Sequence, residues 1–398
     1  MPKRRLVLQC AMRAYNQAAV ARRAPVAAAH KRVSPSAQLV LGTPASANSE
    51  SMPLRVSARS SGELVAAALA GCWRADPYRL ELSATEVASI TPLLLQSGAG
   101  ALAWRRVRNS QLAETSSSNE LQQAYRLHAI QAALHETNIK QVLELLRAAG
   151  VEPVLAKGWA IARSYPEIGL RPYGDLDFCV APNQFADAKA ALTEAGARYP
   201  VDLHRGLRML DYRDWDELFE RSQLVPLDET LVRVFAPEDH LRLLCFHLLR
   251  HGVERPIGLV DIAVALEGRG DKFDWPTCLG SDRKHADWII TSIDLASELL
   301  GAVVGNVPFS FKQRQPSWIV NSVLKAWGSS FANHFSQAAP MGFYRHRPRG
   351  LAKALSARWP TPIIGTIGVG GSFNRLPRFP YQLGYLLLRS LRFLKQVS

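Results

Sequence analysis

Two aspartates one residue apart, Asp175 and Asp177, stand in the stretch Gly174-Asp175-Leu176-Asp177-Phe178-Cys179-Val180. Their apolar neighbours Leu176, Phe178 and Val180 alternate with them, a period-2 pattern that predicts a strand over Asp175–Val180. On a strand, residues i and i+2 point to the same side, so the two carboxylates converge. Like charges that close repel unless a cation lies between them. Two divalent metals about 3.5–4 Å apart can clamp the attacking and leaving oxygens of a phosphoryl transfer. Mg²⁺ suits such a site, because it takes few protein carboxylates and fills its shell with phosphate oxygens and water. Taken alone, the pair also fits a solvated strand face.

The neighbours add anion-binding chemistry. Lys157-Gly158 falls at a predicted strand-to-helix junction, where a glycine lets the backbone approach a phosphate. Lys157 and Arg171 are candidates to neutralise triphosphate charge. Downstream, Asp202 and His204 share one face of the next predicted strand, and Asp202 is placed to complete a carboxylate triad with Asp175 and Asp177.

The elements that must position these residues follow from periodicity. Residues 61–150 read as helical, ending in a long helix with capping-box spacing at Ser117 and Glu120. Its expected apolar face holds Leu127, Ile130, Leu134, Ile139, Val142, Leu143 and Leu146, and Gly150 closes it. Val151–Leu155 reads as a strand, near an edge because Pro153 lacks a donor. Gly158–Tyr165 reads as a helix, Asn183–Ala195 as another, and Tyr199–Leu207 and Leu231–Phe235 as further strands. This order gives an α+β chain: a small mixed β-sheet over 151–236, flanked by an N-terminal helical region (61–150) and C-terminal helices (237–300). Pro237-Glu238-Asp239 opens one of those helices, with Pro at its favoured early position and acids against the dipole. Residues 365–371, with four glycines, read as a flexible loop, and Tyr381–Gln396 as a short helix.

Charge is unevenly placed. The net charge of +14 comes from 48 basic and 34 acidic residues. Residues 1–49 hold eight Lys/Arg and no acid, and residues 299–398 hold thirteen and no acid. The middle keeps 27 basic residues against all 34 acids, a net of −7, so the protein has a slightly acidic body between basic ends. A nucleic-acid binder is expected to carry its positive stripe on the folded body, which this chain does not. Residues 1–60 read as a disordered basic tail, and residues 1–55 of it are expected to be dispensable for folding. The segment after Gly301 is expected to meet an anionic partner or an anionic membrane surface, with Tyr381, Leu383, Leu386, Leu387, Leu391 and Leu394 set among Arg389, Arg392 and Lys395. No apolar run is long enough to span a bilayer. Five scattered cysteines without ligand or redox spacing suit a reducing, cytoplasmic setting.

The stretch Leu155–Val180, with Lys157-Gly158, a short helix and then Arg171-Pro172-Tyr173-Gly174-Asp175-Leu176-Asp177, resembles the uncharacterised bacterial nucleotidyltransferase family of the polymerase-β-like superfamily. Val201-Asp202-Leu203-His204 is similar to that family's acid-Leu-His strand. Pro237-Glu238-Asp239-His240, with His247 and Gly252, is similar to its following helix, and Leu259-Val260-Asp261 to a later one. The resemblance implies a nucleotidyltransferase core that moves a nucleoside monophosphate from an NTP to an acceptor with Mg²⁺. It puts Asp175, Asp177 and Asp202 as metal ligands, Asp202 also as base for the acceptor, and Lys157, Gly158, Arg171 and Gly174 about the triphosphate. Two positions depart from the pattern. Trp159 follows Gly158 where the wider superfamily commonly has Ser, and Arg205 stands where the family often has an aromatic.

Trp159 favours a rival reading, a scaffold that keeps the fold without turnover. A second rival is a nucleic-acid-binding module acting through the basic ends. His247 and His251, at i and i+4 with His240 on a similar face, are a weak metal pair, since no acid stands near them in the order of a zinc protease; core or supporting histidines fit better. Asp239 and Asp261 fit roles in orienting neighbouring helices.

Overall fold

A five-stranded sheet organises the protein, in the order β3-β2-β1-β5-β4. The strands are β1 (Val154–Ala156), β2 (Leu176–Val180), β3 (Val201–Arg205), β4 (Gln223–Leu227) and β5 (Thr230–Val234). The sheet is mixed: β1 runs antiparallel to β2 and parallel to β5, β2 parallel to β3, and β4 antiparallel to β5. The structure, a computed structural model, describes residues 59–196, 199–207, 213–305, 307–309, 315–330 and 358–397, without the side chains of 393–397. The expected basic tail lies almost wholly outside the described residues.

Fourteen helices surround the sheet among those residues. In chain order they are α1 (Ser61–Leu69), α2 (Ala84–Ser97), α3 (Gly100–Val107), α4 (Ser116–Ala148), α5 (Gly158–Ala162), α6 (Phe185–Glu194) and α7 (Trp215–Arg221). Then follow α8 (Pro237–Arg250), α9 (Pro256–Glu267), α10 (Trp275–Leu279), α11 (Arg283–Leu300), α12 (Ser317–Trp327), α13 (Pro362–Gly368) and α14 (Phe379–Val397). The fold class is therefore α+β, as the element order implies.

Alternation along the strands sorts the two faces of the sheet. Leu155, Leu176, Phe178, Val180, Val232 and Val234 enter one core with Ile139, Val142, Leu143 and Leu146 of α4 and Ala188 of α6. Val154, Ala156 and Cys179 enter a smaller cluster on the other side, with Leu218 of α7 and Leu243 of α8. A third and larger core joins α1, α2 and α3 to α8, α9, α11 and α12.

Several expectations are corrected. β1 is a central strand, because Pro153 lies just before it and never has to donate to the ladder. The edge position falls instead to β4, whose Pro226 an edge strand tolerates. Helix α4 is capped by Thr115, whose hydroxyl accepts from Ser118 N at 3.2 Å, and not by Ser117. Only the second half of its expected apolar face is buried: Ile139, Val142, Leu143 and Leu146 are fully covered, whereas Leu127, Ile130 and Leu134 are about half exposed. Leu121, Ala124, Ala132 and His135 face inward in the first half instead. The glycine-rich stretch expected as a loop holds α13. Its glycines let α14 approach, for a Cβ at Gly368 would stand 2.1 Å from Tyr385 Cδ2.

Candidate active site

The site forms where the end of β1 meets the start of β2 and β3. Register pairs Ala156 with Asp177 and Asp177 with Asp202, so three adjacent strands bring Lys157, Asp177 and Asp202 to one edge of the sheet. Asp177 is buried at 5% exposure, an uncomfortable place for a carboxylate unless it is paired. It is paired twice. Lys157 Nζ donates to its Oδ1 at 2.6 Å, and His204 Nε2 lies 3.0 Å from the same oxygen. Burial pushes the Asp177 carboxyl up, but the His204 hydrogen bond and the Lys157 ammonium outweigh it, and the net direction is down.

His204 also reaches Asp202 Oδ2 at 3.4 Å. Ligand atoms of Asp177, Asp202 and His204 all lie within 4.8 Å of one another, a spacing that could hold a metal ion. Their exposure is graded: Asp177 is buried, His204 half-buried and Asp202 exposed. One buried and one exposed carboxylate suit Mg²⁺ or Mn²⁺, and the imidazole nitrogen extends the set toward softer divalent ions. The donor set thus fits a divalent cation. His204 carried no role in the sequence beyond sharing a face with Asp202; its i+2 spacing on a strand was the available signal.

Asp175 precedes β2 rather than opening it, and it is exposed, as is Gly174. It stands outside the Asp177–Asp202–His204 cluster, and its charge is felt by His135 of α4.

The turn from β1 into α5 is strained. Lys157 has φ 46° and ψ −146°, and Gly158 follows with φ 37°. Few non-glycine residues take a positive φ, and such outliers cluster at functional sites. The surroundings fix the turn: Lys157 O accepts from Ala160 N at 2.7 Å, and its ammonium is tied to Asp177. Trp159 turns away into the sheet–α4 core, 4% exposed, and donates through Nε1 to Glu136 of α4 at 3.2 Å. Trp159 thus anchors the turn to the long helix.

Arg171 is placed differently from a free phosphate ligand. Its Nη2 donates to Asp261 Oδ2 at 2.8 Å, its Nε lies 3.2 Å from both oxygens, and Nη1 donates to Pro172 O. Tyr165 OH donates to the other side of the same carboxylate at 2.7 Å. Together they tie the loop entering β2 to α9. Glu167 pins the same loop to α3 and α4, accepting from Arg105, Arg108 and Tyr125.

The rings of His247 and His251 lie 4.5 Å apart between centroids, tilted by 51°, and no third metal ligand stands beside them among the described residues. Burial, then the Lys157 ammonium and His251, push His247 down to about 3, so it is neutral beside the site. His240 is pushed down to about 3, first by burial, and its Nε2 is buried without a partner. Asp239 pairs with Arg213 and Arg221, an orienting role for α8. The described cysteines are free and buried.

A family model described as an uncharacterised nucleotidyltransferase matches residues 83–201 and 197–286. The chain belongs to this nucleotidyltransferase family. No curated protein and no solved structure matches it. The matched span runs from α2 to the start of α11 and includes every residue of the site, from Lys157 to Asp261. No described helix is long and apolar enough to cross a membrane.

Proposed function

We propose that this nucleotidyltransferase-family protein moves a nucleoside monophosphate from an NTP to an acceptor hydroxyl or similar group, with Mg²⁺ held by Asp177 and Asp202 and with Asp175, which stands outside their cluster, joining them when the cation binds. The observation that carries this is the Asp177–Asp202–His204 cluster facing the strained Lys157-Gly158 turn. The acceptor oxygen forms a bond to the α-phosphorus, the bond to the bridging oxygen breaks, and pyrophosphate leaves with the electron pair. Asp202, exposed and steadied by His204, takes the acceptor proton. Asp177 is held ionised by its two partners, ready to serve as a ligand. The Lys157 ammonium moves onto the triphosphate once Asp177 is otherwise neutralised, and Gly158 gives the phosphates room. Gly174 leaves the backbone ahead of Asp175 open, since a Cβ there would meet nothing within 4 Å. A bound divalent cation supplies charge stabilisation for the phosphoryl oxygens. Arg171 and Asp261 act as positioning residues that fix the loop carrying Asp175, and Arg171 reaches the triphosphate only if it leaves Asp261.

The second reading is a scaffold that has kept the fold but lost turnover. The absence of a hydroxyl after Gly158 favours it. Calorimetric titration with each NTP, with and without Mg²⁺ or Mn²⁺, separates the two. Cation-dependent binding supports the transferase, and no heat with any NTP supports the scaffold.

A further inference from the structure

Helix α14 is fastened along one side only. Tyr381, Gln382 and Tyr385 press onto α13 and the turn after it, where Gly365, Gly368 and Gly371 leave no room for a Cβ. Gln382 Nε2 adds a hydrogen bond to Pro360 O at 2.7 Å. A different side carries Phe379, Leu383, Leu387 and Leu391, at 60%, 42%, 59% and 56% exposure. These residues recur every fourth position, so they form one gently winding stripe about 18 Å long. Leu376, 58% exposed, extends it, and Trp359 stacks on Phe379 with 5.7 Å between centroids. Single exposed leucines need no explanation, whereas a continuous stripe ending in an aromatic pair does.

The charge around the stripe is of one sign. Arg375, Arg389 and Arg392 are exposed, Lys395 follows in sequence, and no Asp or Glu occurs after Glu298. On a helical wheel Leu383, Leu387 and Leu391 fall within about 80°, and Arg389 and Arg392 fall on the other half together with Leu388, 39% exposed. An apolar face beside a cationic, acid-free one matches a surface that is anionic outside and apolar just beneath. Phosphate backbones of nucleic acid would leave the leucines exposed. Pairing with a second copy would cover the leucines but give the arginines no counter-charge.

We propose that α14 is an interfacial helix that docks the protein onto an anionic lipid bilayer. The leucine stripe enters the acyl boundary, the Trp359–Phe379 pair lies at the headgroup level, and the arginines, on the far half of the helix, draw it to the anionic surface through their net charge. This is independent of the chemistry at the Asp177 site. The test is co-sedimentation of the full chain with vesicles of phosphatidylcholine alone and of equimolar phosphatidylcholine and phosphatidylglycerol. The variants are Leu383→Ser with Leu387→Ser, and Arg389→Glu with Arg392→Glu. All four positions are exposed, and circular dichroism and melting temperature establish that the variants fold. Wild type should favour the anionic vesicles, and each variant pair should lower that binding by on the order of tenfold or more. Equal binding by wild type and both variants overturns the proposal, as does no binding to anionic vesicles. Salt-sensitive RNA or DNA binding lost only in the arginine variant, without vesicle binding, assigns the face to nucleic acid. A dimer in sedimentation velocity that the leucine variant dissolves, again without vesicle binding, assigns it to a second copy.

Discussion

Asp261→Ala leaves a guanidinium without its counter-charge inside the protein. Asp261 is 2% exposed, and the Arg171 side chain is 13% exposed. The substitution removes every Asp261 contact made by Arg171 and also strands the Tyr165 hydroxyl, whose partner at 2.7 Å is the same carboxylate. Removing one partner of a buried ion pair costs about 3–5 kcal/mol, because the remaining charge stays desolvated. For a protein of this size that lowers the melting temperature by roughly 4–7 °C. Replacing both partners, as in Arg171→Met with Asp261→Ala, removes the orphaned charge and should recover part of the loss. Urea unfolding of the two single variants and the double variant gives the coupling energy directly. If Arg171→Met and Asp261→Ala both unfold like wild type while Arg171→Met loses NTP binding, Arg171 serves phosphate and the positioning role is refuted.

Two further outcomes follow from the loop and the site. The Arg108 hydrogen bond to Glu167, together with Arg105 and Tyr125, holds its carboxyl below the ordinary value. A depressed folded-state value means that its stabilisation is complete above about pH 4.5, where the unfolded group is ionised, and is lost as pH falls through the folded value. Glu167→Gln should therefore melt lower than wild type at neutral pH, with the gap closing in acid; a gap independent of pH contradicts this. Asp175→Asn should leave the melting temperature unchanged, since Asp175 is exposed, while Asp177→Asn should lower it, because Lys157 at 2.6 Å loses its counter-charge. Any relief of carboxylate repulsion is offset at Asp177 by this lost pair. Equal melting temperatures for the two variants would refute the distinction.

What the sequence revealed was local. The alternation of Leu176, Phe178 and Val180 with Asp177 marked β2 because one face of that strand is wholly apolar. Pro237 marked the start of α8 because proline suits a first turn. Strand β4 escaped notice, since its buried alternation is only Val225 and Leu227, with Pro226 between them and exposed Gln223 and Leu224 before. The Arg171–Asp261 pair joins residues ninety positions apart, and no local pattern announces it. The face of α4 was misread over Leu127–Leu134 because periodicity shows that a stripe exists and not whether anything covers it. The glycines of α13 suggested a loop by composition, yet their use depends on tyrosines in a later helix. Lys157 and Asp202 were legible as candidates. The imidazole that links Asp177 to Asp202 became evident only when the parallel register of β2 and β3 was known.

The central claim, nucleotidyl transfer at the Asp177 site, is tested most directly by following label from NTP to product. Wild type, Asp177→Asn and Asp202→Asn are incubated with a cell extract, Mg²⁺ and each NTP labelled at either the α- or the γ-phosphate. The expected result is α-label on an acceptor with wild type, on the order of 10²-fold less or lower with Asp177→Asn after correction for folded fraction, and no transfer of γ-label. Asp202→Asn should lower turnover while sparing NTP binding. Transfer of γ-label in place of α-label, or undiminished α-label transfer by folded Asp177→Asn, would contradict the assignment.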